Sequence, residues 1–302
     1  MSDFVDIQVN GYAGVDFNDD ALSADDLHRA CQAMRSDGVT AFLPTVITDT
    51  LDAMQRRLRQ LVKRTQEDDL ASQMVAGFHV EGPFLNPQLG YIGAHPTEST
   101  QLASVDAAKR LLDAAEGRVR IVTLAPERDP GAATTRFLAD QQILVSAGHC
   151  DASLDELRRG IDAGLSMFTH LGNGCPVNLP RHDNIIQRVL AVADQLRIGL
   201  IADGHHIPLF ALQNYLRQIP VANVILTTDA IAAAGLGPGT YPLAGRMVRV
   251  AENDAPRFDD SGQLAGSAAT MPAMVQNLQA MGIDEPTIAA YCGGNARRVL
   301  EG

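Results

Sequence analysis

The sequence predicts an α/β protein folded as a (β/α)8 barrel of the TIM type, and three observations carry that prediction. Apolar strand-like runs alternate with helical patterns from one end of the chain to the other, which marks repeated βα units rather than a sandwich or a bundle. The runs number eight: "VDIQV", "TAFLPTV", "MVAGFHVEG", "VRIVTLAP", "ILVSAGH", "SMFTHLG", "RIGLIADG" and "NVILTTDA". The chain has 302 residues, a length such barrels use as a single domain, so residues 1–302 read as one barrel with no internal boundary.

Taken in order, the elements leave a consistent trail of polar residues where the strands end. Run one ends on Gln8 and Asn10, and the amphipathic segment "ADDLHRACQAMRSDG" behind it stops on Gly38, a helix-ending residue. Run three places Glu81 directly after an apolar stretch and before Gly-Pro. Run five ends on His149 and is followed by "DASLDELRRGIDAG", which stops on Gly164. Run six ends on His170, run seven on Asp203 with His205 and His206 just beyond, and run eight on Asp229. Residues 231–266 are then irregular, rich in Gly and Pro, with a hairpin pattern in "TYPLAGRMVRVAENDAPRFDD". A long insertion after a barrel strand reads as an active-site cover. Helix resumes from Ala268 and again from about Glu285 to Leu300.

Composition narrows the classes of function. Hydrophobic residues at 46% supply a sizeable core, and a formal net charge of -12 argues against a nucleic-acid surface. The start "MSDFVDIQVNG" has no basic segment leading into an apolar one, and no run approaches the roughly 18 apolar residues of a membrane span, so a soluble cytoplasmic protein is expected. The four cysteines, Cys31, Cys150, Cys175 and Cys292, lack CxxC spacing and read as reduced thiols.

In such barrels function gathers at the C-terminal ends of the strands. A lone ionised carboxylate in apolar surroundings is costly, so Glu81 must be paired, neutralised or bound to a metal. Closing the barrel brings Glu81, His149 and His170 round one mouth. Two neutral imidazoles and a carboxylate, with a position left open for water, suit a catalytic divalent ion, Zn²⁺ first, with iron or manganese also fitting. Asp229 has two readings. It is either the N-cap of a helix beginning directly after it or a general base that takes a proton from the attacking water and passes it to the leaving group.

The segments "HVEGPFLNP" with "GAH", "VSAGHCDAS", "THLGNGCP", "IADGHHI", "TTDAIAAAG" and "LAGSAATM" together resemble the N-acetylglucosamine-6-phosphate deacetylase family of the amidohydrolase superfamily, in the same order and at similar spacing. The match runs from "DIQVNGYAGVDFN" to "GNARRVL". The resemblance implies that Glu81, His149 and His170 bind the metal and that Asp229 is the acid/base. It implies that His95 holds and polarises the amide carbonyl, and that Asn173, the backbone of Gly174, Arg181 and His206 hold the sugar phosphate. Gln8 and Asn10 stand where many amidohydrolases carry His-x-His, so one metal ion per chain is expected. Two departures stand out. The sequence shows no segments for the family's small β-sandwich, so a barrel-only variant is expected, and Gly172 and Gly174 stand where the family tends to have larger residues. Arg181 also admits a plainer reading as the partner of Asp183 in a surface ion pair.

The sequence therefore reads as a metal-dependent amide hydrolase that removes acetate from an N-acetyl amino sugar 6-phosphate, working as a homodimer. Two alternatives stay open. One is another amidohydrolase acting on an unphosphorylated N-acetyl sugar, an N-acyl amino acid or a cyclic amide. The other is a non-catalytic sugar-phosphate sensor, which would be expected to have lost Asp229 or a ligand.

Overall fold

The structure, a computed structural model, describes residues 3–252 and 255–301. Eight parallel strands follow one another round a single sheet in sequence order. They are β1 (Phe4–Val9), β2 (Val39–Ile47), β3 (Phe78–Glu81), β4 (Val119–Leu124), β5 (Leu144–Ala147), β6 (Leu165–Phe168), β7 (Arg197–Leu200) and β8 (Val224–Leu226). The Val- and Ile-rich segments favour a pleated, doubly buried strand, and the crossovers between them are helical. Capping starts those helices where the sequence marks them. Ser23 and Ser153 each form a capping box, with Asp26 and Glu156 respectively, opening α1 (Ala24–Ser36) and the helix Leu154–Asp162. Gly38 and Gly164 take the left-handed backbone expected of helix stops, with φ of 86° and 109°.

The seam between β8 and β1 closes mainly through side chains. Val9 and Ala230 form an isolated parallel bridge, and the Asn10 amide donates to the Ala230 carbonyl at 2.7 Å. Below it, the buried Asp6 carboxylate accepts from the Thr227 hydroxyl at 2.6 Å, the Thr228 hydroxyl at 2.5 Å and the Thr228 amide at 3.2 Å. Burial pushes the Asp6 carboxyl up to about 6, against the pull of those donors. Asp6→Ala would leave buried donors with no partner, so we expect a loss of about 2–4 kcal/mol, read as a lower urea midpoint at unchanged slope.

Val5, Ile7, Leu43, Ile121, Met167 and Ile225 form one buried cluster. Strands that are not neighbours meet in it, which requires that it fill the barrel interior. Above this floor lies a polar layer. His79 contacts the Ile7 carbonyl at 3.1 Å and the Thr123 hydroxyl at 2.7 Å, and Thr123 continues to Thr169 and Thr169 to Ser146. Glu81, two residues along β3 from His79, stands above that layer.

After β8 the predicted insertion contains β9 (Gly239–Leu243), β10 (Arg246–Val250) and β11 (Arg257–Phe258), an antiparallel sheet. Residues 253 and 254, within the predicted hairpin stretch, lie outside the described residues. Helix resumes at Met271, three residues later than expected, because Thr270 caps it. The expected helix from Glu285 is broken by a wider turn at Ala290–Gly294, where a Cβ on Gly293 would meet the Asp3 carbonyl at 2.4 Å. Among the described residues no helix is long and apolar enough to cross a membrane.

Candidate active site

The predicted strand ends overshoot the ladders. β5 stops at Ala147 and β6 at Phe168, so His149 and His170 lie two residues beyond them. Both turn sharply there, with φ of 50° and 33°, and Asp229 does the same beyond β8 with φ of 50°. A left-handed backbone is uncommon for residues other than glycine and concentrates where the fold aims a functional side chain. Three of the sequence-nominated residues share it.

These turns bring the nominated groups to one point. Glu81 Oε1 lies 3.1 Å from His170 Nε2 and 3.4 Å from His149 Nε2, and Glu81 Oε2 lies 3.9 Å from His95 Nε2. Gln8 Nε2 donates to Glu81 Oε1 at 3.1 Å. Burial alone would raise the Glu81 carboxyl, but the facing imidazoles of His149 and His170 hold it well below the usual carboxylate range. Ligand atoms of Glu81, His95 and His149 fall within 4.8 Å of one another, the spacing of a metal site.

The outer hydrogen bonds separate the two roles of the histidines. His149 Nδ1 lies 2.8 Å from the Tyr91 carbonyl, which can only accept, so the proton sits on Nδ1. In the neutral ring Nε2 then carries the lone pair, and it lies 3.4 Å from Glu81 Oε1 and 3.3 Å from His95 Nε2. Imidazole nitrogens gathered on a buried carboxylate are the ligand types a divalent metal takes, so this donor set fits one. His95 has the opposite arrangement. The Thr48 amide donates to its Nδ1 at 3.4 Å, which puts the proton on Nε2 and makes that atom a donor rather than a ligand. Burial and the neighbouring His149 push His95 down to about 3, so it stays neutral. Neither the Tyr91 carbonyl nor the Thr48 amide can be foreseen, since backbone groups leave no mark in a sequence.

Asp229 is not an N-cap. Its Oδ1 accepts from Asn10 Nδ2 at 2.7 Å, while burial and the Glu81 charge push its carboxyl up to about 6. His206 is held by Asp203, with Nδ1 at 2.6 Å from Oδ2. A cavity of about 780 Å³ opens over the cluster and takes in Asn173, Gly174 and His206 as well. Gly174 has φ of 61°, and a Cβ there would meet His149 Nδ1 at 2.8 Å, which accounts for glycine at this position. Arg181 departs from expectation: it is exposed and absent from the cavity wall, while Asp183 pairs with Arg188 at 2.6 Å. Arg257 of β11 lines the wall. Burial pushes the Cys150 thiol well up and the Cys175 thiol up to about 11, so neither is a nucleophile at neutral pH.

No protein-family model matches the sequence. Among curated proteins, the N-acetylglucosamine-6-phosphate deacetylase of Lysinibacillus sphaericus is 32% identical over 277 residues, covering 91% of this chain and 69% of the relative. The chain belongs to the N-acetylglucosamine-6-phosphate deacetylase family. The enzyme of that name from Bacillus subtilis (strain 168) is 35% identical over 270 residues, covering 88% of this chain and 66% of the relative. The N-acetylgalactosamine-6-phosphate deacetylase of Escherichia coli O157:H7 is 32% identical over 275 residues, covering 91% and 71%. In three dimensions the chain is similar to a mutant of the Mycobacterium smegmatis N-acetyl-D-glucosamine-6-phosphate deacetylase in complex with N-acetyl-D-glucosamine-6-phosphate. That likeness has a TM-score of 0.88 at 27% identity and covers 99% of this chain and 77% of that one. The Thermotoga maritima deacetylase gives 0.85 at 28%, covering 100% and 78%. These deacetylases are amide hydrolases, and the acid, histidine and carboxylate groups gathered at this barrel mouth are of the kind that reaction uses.

Proposed function

We propose that this chain hydrolyses the N-acetyl group of N-acetylglucosamine 6-phosphate, or of a close N-acetyl amino sugar 6-phosphate, to the amino sugar 6-phosphate and acetate. The observation that carries this reading is the gathering of His149 Nε2 and His170 Nε2 on Glu81, with His95 and Asp229 in the same cavity of a deacetylase-family chain. One divalent ion, zinc before iron or manganese, would be held by Glu81, His149 and His170 and would supply Lewis-acid polarisation and water activation. His95 Nε2–H donates to the amide carbonyl oxygen as negative charge develops there. Asp229 accepts the proton of the attacking water and delivers it to the amide nitrogen as the carbon–nitrogen bond breaks, so the amine leaves neutral.

Asn173, the Gly174 amide and His206 hold the sugar phosphate from the loops beyond β6 and β7. Arg181 is exposed and does not line this cavity. In dimers of the resembling family a neighbour helps complete the phosphate site, so we place Arg181 across a homodimer interface of a cytoplasmic enzyme. Arg181→Ala should then cost about 2 kcal/mol in kcat/KM for the 6-phosphate substrate and almost nothing for the unphosphorylated sugar. Equal losses on both, or an active monomer in sedimentation, would remove that placement.

The galacto epimer is a second reading, favoured by the Escherichia coli and Shewanella relatives named N-acetylgalactosamine-6-phosphate deacetylase, at 32% and 33% identity. A metal-replete acetate-release assay over both epimers, with and without the 6-phosphate, decides between them. Preference for an unphosphorylated sugar would overturn the substrate assignment.

A further inference from the structure

Two parts of the cavity wall bear on the two ends of a bound amide. Asn173, Gly174 and His206 enter from the loops after β6 and β7. In an eight-stranded barrel those loops lie across the mouth from the loops after β2 and β3. On that far side the wall next to His95 is apolar, while Arg257 and Gln263 of the insertion also line the cavity. Ile47 ends β2 beside Thr48, whose amide touches His95, and Ala94 immediately precedes His95. Leu243 ends β9 and faces the same space. Ile47 and Leu243 belong to one buried cluster with Val248 and Phe258 behind them, and Ala94 packs against it.

The bonding of an amide carbon fixes which part of a substrate meets this wall. Its oxygen, nitrogen and acyl carbon lie in one plane. With the oxygen at His95 and the nitrogen leading to a sugar held by Asn173, Gly174 and His206, the acyl carbon takes the remaining in-plane direction, turned away from both polar anchors, where an apolar part of the wall suits it. We propose that Ile47, Ala94 and Leu243 form the acyl pocket, and that the β9–β10 hairpin, by placing Leu243, sets the size of acyl group this chain removes. This rests on the deacetylase reading above.

The hairpin is held firmly enough for that role. Its turn, Ala244–Gly245, has two positive φ values, 50° and 81°, which suit a tight two-residue connection. The buried Asp16 carboxylate accepts from the Ala244 amide at 2.6 Å and ties the turn to the barrel. Leu243 is 3% and Ile47 6% exposed, so both are walls set by packing rather than free side chains. Such a pocket accepts a short apolar acyl group.

The test compares kcat/KM for N-acetyl-, N-propionyl- and N-butanoyl-glucosamine 6-phosphate in the metal-replete full chain and in two variants. Leu243→Ala enlarges the pocket and is expected to raise the propionyl-to-acetyl ratio about 10-fold, the value of a methylene in an apolar site. Ala94→Val shrinks it without touching the hairpin, and is expected to lower that ratio by about the same factor. Metal content and the melting curve confirm that each variant is folded. Acetate release that persists while neither variant moves the ratio by more than about twofold overturns the pocket. Absence of turnover on every acyl sugar overturns the deacetylase reading itself and the pocket with it.

Discussion

His149→Ala is expected to strip the bound divalent ion and to lower acetate release on the order of 10³-fold or more, because a first ligand sets both metal affinity and carbonyl polarisation. Two features make this position decisive. Its proton is pinned on Nδ1 by the Tyr91 carbonyl at 2.8 Å, so the other nitrogen carries the lone pair that a metal would take. The loops of the cavity also close on the ring: a Cβ at Gly93 would meet His149 Cε1 at 2.9 Å, as one at Gly174 would meet Nδ1. Gln8→Ala is the control. Gln8 donates to Glu81 Oε1 at 3.1 Å and so orients a ligand without being one. Its loss should weaken metal affinity by about 10–100-fold while saturation still reaches one ion per chain. Metal analysis of the wild type that finds two tightly held ions per chain would remove the one-ion reading.

The barrel is legible in the sequence because its signal is repeated along the whole chain: each βα unit shows an apolar strand-like run, and helix caps and stops such as Ser23, Gly38, Ser153 and Gly164 mark several of the crossovers. The polar residues at strand ends are legible for a related reason, since Glu81, His149, His170 and Asp229 each break an apolar run with a group that is costly to bury alone. Their exact seats are not. His149, His170 and Asp229 sit beyond the ladders in left-handed turns, which no run of apolar letters encodes. What tells His149 from His95 is equally hidden, because a carbonyl facing one Nδ1 and an amide facing the other come from the backbone of loops. Arg181 escapes sequence reasoning for a different reason. Proximity in sequence to His170 says nothing about which way an exposed loop faces, and Arg181 is exposed and does not line the cavity although Asn178 and Leu179 of its loop do.

Asp229→Asn should retain the metal and the substrate affinity while kcat falls on the order of 10² or more, as expected when a proton-transfer group is replaced by its neutral isostere. The substitution is structurally mild. Asn Oδ1 can still accept from Asn10 Nδ2, now at 2.7 Å from Asp229 Oδ1, and asparagine tolerates the φ of 50° at this position at least as well as aspartate. It also relieves the repulsion between two carboxylates, so thermal stability should not fall. The pH profile supplies the sharper test. Burial and the Glu81 charge push the Asp229 carboxyl up to about 6, and a bound cation can only lower that value. A base works in its ionised form, so the activity of the wild type should rise with pH through a midpoint at or below about 6 and then level off. In the Asn variant that rising limb should vanish along with most of the turnover. An Asn variant that keeps both its turnover and the limb would show that another group carries the proton, and Asp229 would then be a structural carboxylate at the barrel mouth.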